Sequence, residues 1–184
     1  MITPNRLTAL RVFLAFISPL LLIWYRTPIM EIITILLFTA ACITDWWDGH
    51  LARTKSMITA AGKIADPIAD KLLIIGLMLA FVFFKLYSFW WIVAILTREI
   101  AVTCVRIMRL RRGQVIPAEW AGKVKVGFQI GSVYASLLYL VILDSGFDNR
   151  LVVASEALHY IGILIANAVT LFSGITFFYH LRKI

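Results

Sequence analysis

Apolar residues fall in six long stretches, roughly Thr8–Tyr25, Ile29–Trp47, Ile64–Phe84, Tyr87–Arg109, Lys125–Leu143 and Leu151–Tyr179. Each can reach the ~20 residues that a helix needs to cross a bilayer. Backbone in lipid has no water to bond, so only helices or a closed barrel can span it. The runs are continuous rather than alternating, which excludes the barrel. The pattern predicts an all-α integral membrane bundle of six transmembrane helices, one domain over residues 1–184. The first stretch is marginal, and residues 1–11 are expected as an amino-terminal interfacial segment. The last is long enough to tilt. Pro67 fits the first turn of the third helix, and Gly113–Pro117 reads as a loop or helix break.

Composition agrees. The chain is 61% hydrophobic and 15% charged, against about a quarter charged in soluble domains. No cleavable signal peptide is expected, since the apolar run after Arg11 lacks a small-residue cleavage site. The formal charge is +8, but few basic residues lie outside short loops and helix ends, which argues against nucleic acid. Of the 18 Lys and Arg residues, only Arg26, Lys85 and Arg150 fall on one side of the six spans. The positive-inside rule then puts both termini in the cytoplasm, as in a bacterial inner membrane. Cys42 and Cys104 lie inside apolar runs without metal-type spacing and read as packing residues. Trp90 and Trp91 read as interfacial aromatics, His159 and His180 as helix-end residues at the interface, and Gly127 with Gly131 as a helix-packing pair.

Against this background, four of the ten acidic residues crowd between the second and third runs: Asp45, Asp48, Asp66 and Asp70. A carboxylate at membrane depth costs roughly 2.5–3.5 kcal/mol even on the lenient insertion scale. Two divalent cations would balance four such charges, and hard oxygen donors without Cys or His suit magnesium or manganese. Spacings of three and four put each pair on one helical face, so adjacent antiparallel helices could aim all four at one volume near the cytoplasmic surface. Gly49, Gly62 and Ala52 leave room for a bulky ligand, and the Arg53 guanidinium can clamp phosphate oxygens.

The full pattern, D-x-x-D-G-x-x-A-R-x(8)-G-x-x-x-D-x-x-x-D from Asp45 to Asp70, resembles that of the CDP-alcohol phosphatidyltransferases, with all eight specified residues present. The resemblance implies a six-helix, homodimeric membrane enzyme binding two divalent metals. Such an enzyme displaces CMP from a CDP-linked lipid with the hydroxyl of a second alcohol. Carried over, Asp45, Asp48, Asp66 and Asp70 would be metal ligands, with Asp70 also the base for the hydroxyl proton. Gly49, Ala52 and Gly62 would shape the cytidine pocket, and Arg53 would hold the diphosphate.

The second half of the chain should read the acceptor. Arg98, Arg106 and Arg109 share one helical face, Arg98 and Glu99 sit inside an apolar run, and Lys123 and Lys125 open the fifth helix. Arg98, Arg106, Lys123 and Lys125 are the expected acceptor-phosphate ligands, with Glu99 orienting Arg98. Arg109, Arg111 and Arg112 read instead as anchors to anionic headgroups. The segments DPIADKLL, LTREIAV and GKVKV are similar to the phosphatidylglycerophosphate synthase branch of the family, which joins CDP-diacylglycerol to glycerol 3-phosphate. The sixth run carries no visible substrate signal. Alternatives are another acceptor (inositol phosphate, serine or phosphatidylglycerol), an inactive lipid-binding relative, or a divalent-cation transporter. The last predicts metal flux without any CDP-lipid.

Overall fold

The computed structural model describes residues 4–55, 60–111 and 120–181, with side chains described at 11–44, 71–109, 120 and 122–181. The elements are α1 (Pro4–Trp24), α2 (Pro28–Lys55), α3 (Ala60–Phe83), α4 (Phe89–Arg111), α5 (Trp120–Asp144) and α6 (Asn149–Leu181). The described residues are therefore all-α, one helix for each apolar run. Among the described residues, Gly122–Asp144 and Asn149–Leu181 are long and apolar enough to cross a membrane. Arg11–Trp24, Pro28–Thr44 and Lys71–Phe83 are shorter apolar stretches.

Two boundaries differ from expectation. α1 runs unbroken from Pro4, so residues 4–11 are its first turns and not a separate segment. α3 starts at Ala60, about two turns ahead of Pro67, which therefore lies within the helix. The alanines at 60 and 61 favour that extension. Gly113–Pro117 lies outside the described residues.

α1 packs on α3 and α2, α5 packs on α6, α2 and α3, and α4 packs on α6 and α3. The sequence reading made α2 and α3 direct neighbours; among the described residues their main contacts run through α1 and α5 instead. The core between them includes Leu22, Phe38, Leu77, Phe81, Leu137 and Leu140, all fully buried. Thr39 Oγ1 meets the Tyr134 hydroxyl at 2.7 Å, tying α2 to α5. At the far end Arg26 donates to both Asp144 carboxylate oxygens at 2.7 and 3.0 Å, and this carboxylate raises the guanidinium above its ordinary pKa.

The α1–α3 contact has a specific cause. Pro19 sits inside α1 and lacks an N–H, so the Ala15 carbonyl one turn earlier loses its helical partner. That carbonyl lies 3.0 Å from where a Cβ on Gly76 would stand, and Pro19 Cγ lies at 3.3 Å. Only a glycine lets α3 approach the exposed carbonyl this closely. Gly76→Leu is expected to destabilise the bundle by about 1–3 kcal/mol. Gly127→Leu, at a position with nothing within 4 Å, should be near neutral. Thermal unfolding of the detergent-solubilised chain checks both.

The open space around Gly127 and Gly131 also means that the described chain packs nothing against that pair. His159 departs further from the sequence reading, because it is fully buried and not interfacial. α6 begins ten residues before it, which carries it almost three turns into the bundle. There Nδ1 lies 2.9 Å from Ser136 Oγ and the ring stacks on Tyr139.

α3 ends in a Schellman turn. Lys85 N–H donates to the Val82 carbonyl and Leu86 N–H to the Phe81 carbonyl, both at 2.9 Å, with Lys85 at φ 61°. A glycine would hold this left-handed conformation without the roughly 1–2 kcal/mol that a Cβ costs.

Candidate active site

The motif residues divide between two observed helices. Asp45, Asp48, Gly49, Ala52 and Arg53 belong to α2, and Gly62, Asp66 and Asp70 to α3. The helical backbone is continuous through both segments, so the acids stand at i, i+3 and at i, i+4. Their side chains lie outside the described residues. As a donor set, four carboxylates at these positions offer only hard oxygens, which fits magnesium or manganese.

The described site begins one residue after Asp70. Lys71 Nζ lies 3.5 Å from Glu99 Oε2 and donates to Thr103 Oγ1 at 2.6 Å, joining α3 to α4. Glu99 also accepts from Arg98 Nη1 at 3.0 Å and from Lys125 Nζ of α5. Arg98 in turn donates through Nη2 to Ser173 Oγ of α6 at 2.6 Å. One carboxylate thus gathers three cations from three helices, and a fourth helix supplies a hydroxyl. Glu99 and Lys125 are buried, at 7% and 6% exposure. Burial of this kind is tolerated only because each charge is paired and hydrogen-bonded. The cluster carries three positive charges against one negative, and its excess of two is unmatched by any other described carboxylate contact.

Further along α4, the Arg106 guanidinium lies over the Phe177 ring at 5.6 Å, and Arg109 Nη2 donates to the Leu181 carbonyl at 3.3 Å. The partners Ser173, Phe177 and Leu181 advance by four along α6, so the arginine face of α4 lies along one ridge of α6. Gly174 permits the fit: a Cβ there would meet Arg98 Cγ at 3.0 Å. Arg98 Nε and Arg106 Nε are buried and have no hydrogen-bond partner among the described residues. Each guanidinium thus keeps one buried N–H that no described acceptor satisfies.

Of the four expected acceptor ligands, the structure brings Arg98 and Lys125 together on Glu99 and sets Arg106 two turns along the same helix. Lys123 it leaves on the exposed side of α5. Residues two apart on a helix point to nearly opposite faces, so burying Lys125 turns Lys123 outward. Sequence reasoning missed Lys71, Ser173 and Gly174. Lys71 had a readable signal, being an ionisable residue inside an apolar run directly after the last motif aspartate. Ser173 and Gly174 had none, since small residues are common wherever membrane helices pack.

Comparison with known proteins gives the same direction. The family model for CDP-alcohol phosphatidyltransferase matches residues 1–172, from α1 through most of α6. A relative named CDP-diacylglycerol–glycerol-3-phosphate 3-phosphatidyltransferase from Bacillus subtilis (strain 168) is 35% identical over 147 residues, 74% of this chain and 76% of the relative. A protein of the same name from Yersinia enterocolitica is 30% identical over 171 residues, covering 88% of this chain and 87% of the relative. A probable phosphatidylglycerophosphate synthase of Mycobacterium tuberculosis is 47% identical over 93 residues, which is half of this chain and 44% of that protein. With a match across its six helices and the complete aspartate motif, the chain belongs to the CDP-alcohol phosphatidyltransferase family.

Proposed function

We propose that the protein transfers the phosphatidyl group of CDP-diacylglycerol to glycerol 3-phosphate, giving phosphatidylglycerophosphate and CMP. The observation that carries this reading is the Glu99-centred cluster, whose excess of two positive charges begins at the residue after Asp70. A phosphate monoester carries about 1.5–2 negative charges near neutral pH, so it balances the cluster; serine or free inositol would leave it unbalanced. Glycerol 3-phosphate is the phosphorylated acceptor that the names of the Bacillus and Yersinia relatives contain.

Two divalent cations, magnesium or manganese, held by Asp45, Asp48, Asp66 and Asp70, supply when bound the positive charge that a diphosphate needs. The rest falls to the chain's own groups. Arg53 holds the diphosphate, and Gly49, Ala52 and Gly62 leave space for the cytidine. Arg98, Lys125 and Arg106 hold the acceptor's phosphate, with Lys71 supporting Glu99 and Lys123 attracting the anion from the exposed face. The acceptor hydroxyl then attacks the lipid-side phosphorus. A new P–O bond forms, the bond to CMP breaks, and the hydroxyl proton passes to the Asp70 carboxylate. All six helices span the bilayer, with the aspartates at the cytoplasmic side of a bacterial inner membrane, and the protein works as a homodimer.

The test is CMP release by the purified chain given CDP-diacylglycerol and, in turn, glycerol 3-phosphate, inositol phosphate, serine and phosphatidylglycerol, each with and without chelator. Glycerol 3-phosphate is expected to give product that chelator abolishes; product from another acceptor alone would refute the assignment. Lys125→Met leaves Glu99 paired with Arg98 and Lys71. It removes one charged hydrogen bond of about 1.5–3 kcal/mol. KM for glycerol 3-phosphate should rise roughly 10- to 100-fold, with KM for CDP-diacylglycerol little changed.

A further inference from the structure

A cavity of about 410 Å³ opens at the end of the bundle opposite the aspartates, between the α3–α4 turn and α6. Val82, Leu86, Ile163 and Leu164 form apolar walls, and Lys85, Ser88 and Tyr160 supply polar groups. Twelve residues of α3 separate Val82 from Asp70, about 18 Å along the helix. The cavity is therefore remote from the candidate active site.

Three observations identify its occupant. First, Lys85 holds a left-handed conformation at φ 61° and is exposed, with no carboxylate partner among the described residues. Arg26, at the same end of the bundle, is already neutralised by Asp144. Second, Ser88 immediately precedes α4, and its carbonyl accepts from Trp91 N–H at 3.1 Å. Ser88 and Trp91 both line the cavity, so the positive dipole end of this 23-residue helix adjoins it. Third, Trp91 and Tyr160 line it and Phe89 and Trp90 flank it, all exposed. Exposed Trp and Tyr of this kind mark the headgroup level of a membrane.

We propose that this cavity binds an anionic phospholipid. Its phosphate sits between the Lys85 ammonium and the start of α4, and an acyl chain runs against Ile163 and Leu164. The apolar walls favour a lipid over a soluble phosphate. The absence of any Asp or Glu among the lining residues favours an anionic headgroup over a zwitterionic one, whose ammonium would find no counter-charge. The proposal requires the membrane and not the transfer reaction.

The experiment is binding of phosphatidylglycerol, phosphatidylcholine and the water-soluble glycerophosphoglycerol to the full-length detergent-solubilised chain, read by native mass spectrometry and by the shift in unfolding temperature. Lys85→Gly is the decisive variant, because glycine suits φ 61° and so removes the charge while keeping the turn. Phosphatidylglycerol should bind Lys85→Gly at least 10-fold more weakly than wild type, and Lys85→Arg within about threefold of wild type. Wild type should prefer it to phosphatidylcholine by a similar factor. Unchanged binding in Lys85→Gly, equal binding of phosphatidylcholine, or equal binding of glycerophosphoglycerol would each overturn the proposal.

Discussion

Asp66→Asn is expected to lower CMP release on the order of 10³-fold, a loss of about 4 kcal/mol of transition-state stabilisation. The substitution keeps the size and shape of the side chain while removing one of the four carboxylates proposed to hold the cations that a diphosphate needs. Phosphoryl transfer depends on charge placed in advance where the leaving oxygens develop theirs. The folded bundle should survive, because an Asn–Asp exchange removes no apolar packing and relieves repulsion among the acids when no cation is present. The measurement pairs CMP release with thermal unfolding over a titration of magnesium. Wild-type protein should be stabilised by the cation and Asp66→Asn much less so. Full activity in the variant, or equal stabilisation of both proteins, would remove the aspartates from the chemistry.

The fold was legible because lipid leaves the backbone few choices. An unbroken apolar run of about 20 residues has one stable form in a membrane, and all six runs became helices. Hydropathy is silent where a helix leaves the apolar layer. α2 continues through Asp45 and Arg53 to Lys55, beyond the run that ended near Trp47, because polar residues at a helix end still satisfy its backbone bonds. The same blindness hid the start of α3. Periodicity could not show that, among the described residues, the chief contacts of α2 and α3 pass through α1 and α5, since each helix is apolar around most of its circumference.

The site was legible where it required unusual chemistry. Ionisable residues inside apolar runs are conspicuous, so Arg98 and Glu99 stand out in the sequence, while Lys125 is marked only by its place at the opening of the fifth helix. Their meeting point did not, because Lys125 lies 26 residues from Glu99 and Ser173 lies 75 from Arg98. Placing Lys123 beside Lys125 treated neighbours in sequence as neighbours in space. The helix separates them. α6 looked merely hydrophobic because its contribution is a hydroxyl at Ser173 and a missing Cβ at Gly174, and neither changes hydropathy enough to notice.

Glu99→Gln should be among the most destabilising single changes in the protein, costing about 3–5 kcal/mol. Breaking a buried pair leaves the other partner charged and uncompensated, and here the carboxylate serves three partners at once. Gln keeps the shape and one acceptor oxygen, so the loss measures charge and not packing. Lys125→Met alone should cost clearly less, since Glu99 retains Arg98 and Lys71. The double variant Glu99→Gln/Lys125→Met should recover a large part of the Glu99→Gln loss, because it removes the most buried cation together with its counter-charge. A thermodynamic cycle from the four unfolding curves would then show strong coupling between the two positions. Strict additivity would mean that the cations are solvated independently. The same cycle bears on function: with Glu99 neutral, Arg98 and Lys71 lose the group that fixes their positions, and KM for glycerol 3-phosphate should rise even though net positive charge increases. A fall in KM would instead show that the site reads total charge alone and that geometry is secondary.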